Sequence, residues 1–121
     1  MEKKSGKGIK RLLNALAWSF AGLGSAFKHE AAFRQEMFMA AILLPAALWL
    51  GQGGTEKAVL CGSVLLVLIT ELLNSSIESV VDRVSTDQHP LSGRAKDLGS
   101  AAVFLALVNM AVVWSLVLVF R

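Results

Sequence analysis

The stretch "LGSAAVFLALVNMAVVWSLVLVF", residues 98–120, decides the fold because it carries no charged side chain over its whole length. A helix crosses the hydrocarbon core of a bilayer with about 20 predominantly apolar residues. This stretch is long enough to cross with some tilt. Together with the short polar segment that leads into it, the stretch predicts a transmembrane helix over about residues 92–120.

Two further apolar runs predict two further spans. The run "MFMAAILLPAALWL", residues 37–50, is short for a span, so the turn before it must contribute and the helix is expected over about residues 30–50. Its Pro45 is tolerated because membrane helices accept such kinks. The run "AVLCGSVLLVLIT", residues 58–70, is free of charge, and its helical pattern continues through Val84. It predicts a helix over about residues 57–84.

Composition supports a membrane protein. Of the 121 residues 55% are hydrophobic and 17% are charged, and the mean hydropathy is +0.58. A soluble domain of this size is less apolar. We therefore expect an all-α, membrane-embedded protein that forms one domain over residues 1–121. A cleavable signal peptide is not expected, because the first 20 residues lack a clean apolar core.

The N-terminal segment has a different pattern, which predicts an amphipathic surface helix over about residues 8–27. Trp18 would anchor this helix in the membrane interface. Gly22 and Gly24 predict a looser segment before the next helix begins near Lys28. The apolar face of the surface helix is formed by Ile9, Leu12, Leu13, Leu16 and Phe20.

The distribution of the twelve cations predicts the orientation of the chain in the membrane. Only Lys57 and Arg121 fall on one side of the three spans. The other ten place the N-terminus and the loop over residues 83–97 in the cytoplasm, and the C-terminus on the opposite side. These ten are Lys3, Lys4, Lys7, Lys10, Arg11, Lys28, Arg34, Arg83, Arg94 and Lys96.

A polar stripe runs along the helix predicted over residues 57–84. At 100° per residue, one face carries Glu71, Asn74, Ser75, Glu78 and Asp82. A carboxylate at the centre of a spanning helix costs about 2.5 kcal/mol or more, so an acid near the end of a span still needs a partner or a task. The first two acids are about 10 Å apart, too far to share a proton but suited to a metal and a substrate. Hydrogen bonding to neighbouring helices is the alternative.

Seven of the nine acids gather at the same membrane surface as most cations. Carboxylates suit Mg²⁺, and Lys and Arg suit phosphate oxygens, so this cluster predicts phosphoryl transfer at the membrane surface. A solvated charge cluster, a small ion or proton carrier and a purely structural subunit remain alternatives. A single Cys61 and two separated histidines exclude a disulfide framework and make a zinc pair unlikely. The acids are Glu30, Glu36, Glu71, Glu78, Asp82, Asp87 and Asp97.

Three stretches resemble the prokaryotic diacylglycerol kinases, a family of small membrane lipid kinases. They are "EAAFRQE" at 30–36, "ELLNSSIESVVDR" at 71–83 and "LSGRAKDLGSAAV" at 91–103. The family also includes undecaprenol kinases, but the first stretch is closer to the diacylglycerol branch. The resemblance implies a homotrimer in the bacterial cytoplasmic (inner) membrane, with active sites between subunits that enclose the polar stripe. It implies Mg²⁺-dependent transfer of phosphate from ATP to diacylglycerol at the cytoplasmic face, which gives phosphatidic acid; no nucleic-acid partner is expected.

The resemblance also implies roles for individual residues. Glu71 matches the general base toward the lipid hydroxyl, and Asn74 lies where it would position that base. Glu30 and Glu78 match the metal-binding acids. The residues that match nucleotide contacts are Arg11, Trp18, Glu30, Glu78, Asp87, Gln88, His89, Lys96 and Asp97. Those that match lipid-substrate contacts are Arg11, Ala32, Phe33, Arg34, Gln35, Glu36, Glu71 and Ser100. Pro90 and Trp18 depart from the common pattern.

Overall fold

The fold is entirely helical in the described part of the chain. The computed structural model describes residues 4, 6–84 and 87–121. Its helices are α1 (Gly8–His29), α2 (Ala31–Leu50), α3 (Gly53–Val84) and α4 (Pro90–Val119). Helices α2, α3 and α4 are long and apolar enough to cross a membrane. The prediction of an all-α protein with three helices able to span a membrane is therefore confirmed.

The first two helices are joined by a corner of one non-helical residue, Glu30. Helix α1 continues through Gly22 and Gly24, so the loosening predicted there is wrong. Glycine disfavours a helix interior by only about 1 kcal/mol, which does not break a helix by itself. The break falls instead at Glu30, whose extended backbone (φ −113°, ψ 107°) separates α1 from α2. The next helix accordingly begins at Ala31, not near Lys28.

Arg34 fixes this corner. Its Nη1 donates to the Phe27 carbonyl at 2.9 Å and to the Lys28 carbonyl at 3.1 Å. The last carbonyls of a helix have no partner within the helix, so a cation from the next helix satisfies them and caps α1. Arg34 thereby ties the end of α1 to the first turn of α2.

Helix α3 is the centre of the fold and packs against both α2 and α4, whereas α1 packs mainly against α2. Its buried residues recur every three or four positions, first as Leu60, Val64 and Val67 and then as Glu71 and Asn74. The residues that α4 buries against α3 are small, Gly99 and Ala106. Small residues let membrane helices approach closely. The polar stripe is thus the continuation of the apolar core stripe.

Polar contacts tie the helices together at the end of the bundle that lies away from α1. The Arg121 Nη2 donates to the Leu50 carbonyl at 2.6 Å and pairs with the Glu56 carboxylate at 3.1 Å. The Trp114 Nε1 donates to the Ser63 hydroxyl at 3.1 Å and thereby links α4 to α3. These contacts join the end of α4 to the turn between α2 and α3.

That turn depends on Gly51, and replacing it with alanine tests the packing. A Cβ at position 51 would lie 2.6 Å from the Cγ of Lys57 and 2.9 Å from the Ala47 carbonyl oxygen, whereas Gly54 has open space. We expect Gly51→Ala to lower the free energy of unfolding by about 1–3 kcal/mol through overpacking. Gly54→Ala is the control and should unfold like the parent chain. Denaturation in detergent, followed by circular dichroism, measures both; equal stability of the two variants would contradict the prediction.

Candidate functional site

The site is built around Glu71, a carboxylate in the core stripe of α3. Glu71 is only 6% exposed, and the Glu36 carboxylate of α2 is close enough for the two charges to act on each other. The Oε2 oxygen of Glu36 is itself buried and has no hydrogen-bond partner among the described residues. Glu30 and Glu78 are the other carboxylates whose charges act on Glu71. Four acids from α2, α3 and the α1–α2 corner therefore share one neighbourhood.

Asn74 lies one turn beyond Glu71 and connects it to the next acid. Its Nδ2 donates to the Glu78 Oε1 at 3.3 Å along the same helix. Its other polar atom, Oδ1, is buried without a hydrogen-bond partner, at a point where Gly99 of α4 comes closest. Asn74 is 9% exposed and Glu78 is half-buried. The stripe therefore becomes more exposed from Glu71 toward the end of α3.

The single chain itself encloses part of the polar stripe. Glu36 of α2 and Gly99 of α4 come against Glu71 and Asn74. These two residues are buried because α2 and α4 both pack against α3. Glu78 and Asp82 remain partly open to the surroundings of the chain.

A cavity of about 610 Å³ lies where α3 turns into α4. Its floor carries an ion pair between the Lys96 ammonium and the Asp82 carboxylate, with Nζ and Oδ1 2.7 Å apart. The helix α4 begins at its rim, where the Nδ1 of His89 accepts a hydrogen bond from the Leu91 amide at 3.1 Å and Pro90 fills the first helical position. Proline suits that position because its missing amide would have no partner there. The polar lining residues are Asp82, Asp87, Gln88, His89, Ser92 and Lys96.

A second cavity, of about 660 Å³, lies between α1 and α3. Glu30 borders it, and most of its other polar lining consists of hydroxyl groups. The His29 Nδ1 is 3.0 Å from the Ser25 carbonyl oxygen, so this ring is held against its own helix. The polar lining residues are Ser19, Ser25, His29, Glu30, Ser75, Ser76 and Ser79.

The residues predicted for the site therefore fall into three groups. Glu30, Glu36, Glu71, Asn74 and Glu78 come together around the polar stripe. A second group lines the cavity between α3 and α4, namely Asp87, Gln88, His89 and Lys96. The third group lines neither of the two cavities, namely Arg11, Trp18, Ala32, Phe33, Arg34, Gln35, Asp97 and Ser100.

Two members of the third group have structural contacts that account for their positions. Phe33 is fully buried in the contact of α2 with the rest of the chain, at 1% exposure. Arg34 caps α1, as described above. The sequence analysis did not single out Gly99, and it placed Asp82 on the polar stripe without predicting its ion pair with Lys96. The position of Asp82 can be predicted from the helical period of the stripe. The contact of Gly99 cannot be predicted before the packing of α4 on α3 is known.

The donor set of the site fits Mg²⁺ bound together with phosphate. The described residues contain no group of three potential ligands among His, Cys, Asp and Glu that could hold a metal ion alone. Mg²⁺ needs no such group, since it usually takes one or two carboxylates and completes its octahedron with phosphate oxygens and water. Glu30 and Glu78, which both act on Glu71, supply oxygen donors of that kind.

Comparison with known proteins gives consistent matches. A profile of the family "Prokaryotic diacylglycerol kinase" matches residues 17–118. A diacylglycerol kinase from Haemophilus influenzae is 51% identical over 113 residues, which cover 93% of this chain and 96% of that protein. Similar proteins of the same name are found in Pseudomonas aeruginosa (50% identity, 95% of this chain and 94% of that protein) and Escherichia coli K12 (44%, 92% and 91%).

The crowding of Glu36 against Glu71 predicts an unusual effect on stability. In Glu36→Gln, an amide that donates a hydrogen bond replaces one of two facing acids, so we expect the free energy of unfolding to rise by about 1 kcal/mol. Glu56→Gln is the matched control, because the same substitution weakens the ion pair with Arg121 and should lower stability by up to about 1 kcal/mol. Thermal unfolding in detergent shows whether each substitution raises or lowers the stability of the protein. A loss of stability in both variants would contradict the account of Glu36.

Proposed function

This chain belongs to the prokaryotic diacylglycerol kinase family, and we propose that it transfers the terminal phosphoryl group of ATP to the hydroxyl of diacylglycerol. Family membership confirms the resemblance read from the three sequence stretches, and it makes the chain a kinase of that family. The observation that carries the proposed chemistry is the burial of the Glu71 carboxylate within a helix long and apolar enough to span a membrane. A buried acid of that kind marks a functional site.

Glu71 is proposed to act as the general base. Its carboxylate accepts the proton of the lipid hydroxyl while the hydroxyl oxygen attacks the terminal phosphorus. The bond to the bridging oxygen breaks, ADP leaves, and phosphatidic acid is the product. Burial keeps bulk water away from this carboxylate, which suits a base that takes its proton from a bound alcohol. Asn74, one turn away and hydrogen-bonded to Glu78, would keep the two acids in register.

The nucleotide is proposed to occupy the cavity between α3 and α4. Lys96 would contact phosphate, and Asp97 would contact the ribose or the adenine. Asp87, Gln88 and His89 would complete the site, with Arg11 and Trp18 of α1 as further contacts. The lining of the cavity supports this proposal, because it combines an ammonium group with hydrogen-bonding side chains at the end of a spanning helix. The lipid would approach laterally, past residues 32–36 and Ser100.

Glu30 and Glu78 would hold Mg²⁺ on the nucleotide phosphates. A bound Mg²⁺ neutralises the charge that develops on the transferred group. The protein positions its two acids by different means: Glu30 lies at the helix corner that Arg34 caps, and Glu78 accepts the Asn74 hydrogen bond. Both acids thus have backbone or side-chain support within the chain.

The surroundings of the site are proposed from charge and exposure. We propose that the chain lies in the bacterial inner membrane with α1 on its cytoplasmic surface and the active site at the same face. The asymmetry of the cations supports this orientation. We also propose a homotrimer with active sites between subunits. The outer end of the polar stripe supports it, because Glu78 is only half-buried and Asp82 is exposed in the single chain.

Transfer of labelled phosphate from ATP tests the proposed function directly. Purified protein in mixed micelles is offered diacylglycerol and undecaprenol in parallel, with and without Mg²⁺. Label in phosphatidic acid only when Mg²⁺ is present is the expected result. Label in undecaprenyl phosphate would keep the mechanism and replace the substrate. No label in either lipid, from folded protein, would overturn the proposal.

Two substitutions test the assigned acids. Glu71→Gln should lower kcat by about a hundredfold or more, because it removes the proton acceptor. Glu78→Gln should abolish measurable turnover at ordinary Mg²⁺ concentrations, because it removes a metal ligand. Glu56→Gln, at the other end of the bundle, is the control and should retain activity. Both site variants should keep the helical content of the parent by circular dichroism; an active Glu78→Gln enzyme would contradict its role.

A further inference from the structure

Gly99 of α4 faces the polar stripe of α3 at Asn74. It is buried, and it has no side chain between its backbone and the Asn74 amide of α3. A Cβ at position 99 would overlap the Asn74 Oδ1 and would lie 3.3 Å from its Cγ. The nearest Asn74 backbone atom, Cα, would be an ordinary 3.8 Å away. Only the side chain of Asn74, and not the helix path, therefore excludes a larger residue at position 99.

The orientation of the Asn74 amide is fixed from both sides. Its Nδ2 donates to the Glu78 Oε1 at 3.3 Å, while Oδ1 is buried against Gly99 without a partner. A flipped amide would turn an oxygen toward the Glu78 carboxylate, which can accept hydrogen bonds but not donate one when ionised. A rotated side chain would lose the Glu78 contact. The Asn74 Oδ1 therefore has no partner because the Asn74 Nδ2 donates its hydrogen bond to Glu78.

We propose that Gly99 is a positioning residue, which holds the Asn74 amide on Glu78 by leaving room for its Oδ1. Gly99 touches neither substrate nor the reacting atoms in this account. It acts through Asn74 on the carboxylate that the proposed function assigns to Mg²⁺, so the inference rests on that function. Groups that orient a metal ligand typically change metal affinity or activity 10–100-fold when they are lost.

Gly99→Ala should displace the Asn74 amide. The chain has three asparagines, Asn14, Asn74 and Asn109, so protein labelled with ¹⁵N-asparagine gives three pairs of side-chain amide signals. The Asn74→Ala variant assigns the pair of Asn74 by its disappearance. We expect Gly99→Ala to shift this pair and to leave the other two in place. Gly62→Ala is the control, because position 62 has open space on the same helix as Asn74.

The kinetic consequence is a change in the Mg²⁺ concentration that gives half-maximal activity. We expect Gly99→Ala to raise the half-saturating Mg²⁺ concentration about tenfold, whereas Gly62→Ala leaves it unchanged. In an Asn74→Ala background, where no Oδ1 remains to be displaced, Gly99→Ala should change the residual activity less than about twofold. A loose fit between α3 and α4 would instead lower activity equally in both backgrounds.

The outcomes separate this inference from the proposed function. Unshifted Asn74 signals in Gly99→Ala, or equal losses of activity in the two backgrounds, would overturn the positioning role even in an active kinase. A parent chain without kinase activity would overturn the proposed function, and the amide signals would still report the contact. If Gly99→Ala does not fold, the double variant with Asn74→Ala decides: recovery of the fold supports the contact, and a second failure contradicts it.

Discussion

The structure depends on one constraint, which is that the core stripe of its central helix ends in a buried carboxylate. Leu60, Val64 and Val67 pack α3 against its neighbours, and the same face then carries Glu71. A buried acid is costly in a spanning segment, and a second acid that faces it adds to this cost. The neighbouring helices change character at this level. Helix α2 presents Glu36 there, and α4 presents Gly99 close by.

The two ends of the bundle are held together in different ways. Away from α1, the Arg121 guanidinium joins the Leu50 carbonyl and the Glu56 carboxylate, and Gly51 permits a tight turn. At the other end the connections are a helix corner capped by Arg34 and an ion pair between Asp82 and Lys96, and the two cavities open there. A site works best when rigid elements support it, while its ligands still need a path of entry. The tightly joined end supplies the rigid support, and the end with the two cavities supplies the path of entry.

Much of this arrangement could be predicted from the sequence, because helical period and hydrophobic length are local properties. They placed three spans and put Glu71, Asn74 and Glu78 on one face of α3. The contact between Glu36 and Glu71 could not be predicted, since it depends on how far α2 slides along α3. The role of Gly99 likewise appears only when α4 is packed. Gly22 and Gly24 were misleading because glycine weakens a helix without ending it, and the actual break at Glu30 coincides with contacts from Arg34.

The graded exposure of the stripe explains how one helix face can carry two kinds of acid chemistry under the proposed function. Glu71 is 6% exposed, Glu78 is half-buried, and the Asp82 side chain is 64% exposed. A carboxylate enclosed by packed helices is shielded from bulk water, which suits a base that takes its proton from a bound alcohol. A partly hydrated carboxylate can exchange water for a metal ion, which suits a ligand. Asp82 lies eleven positions after Glu71 along the helix, which corresponds to a rise of about 16 Å. Under the proposed function, Glu71 would meet the lipid hydroxyl at one end of this rise and the cavity at the other end would hold the nucleotide, so Glu78, between them, would lie beside the terminal phosphate.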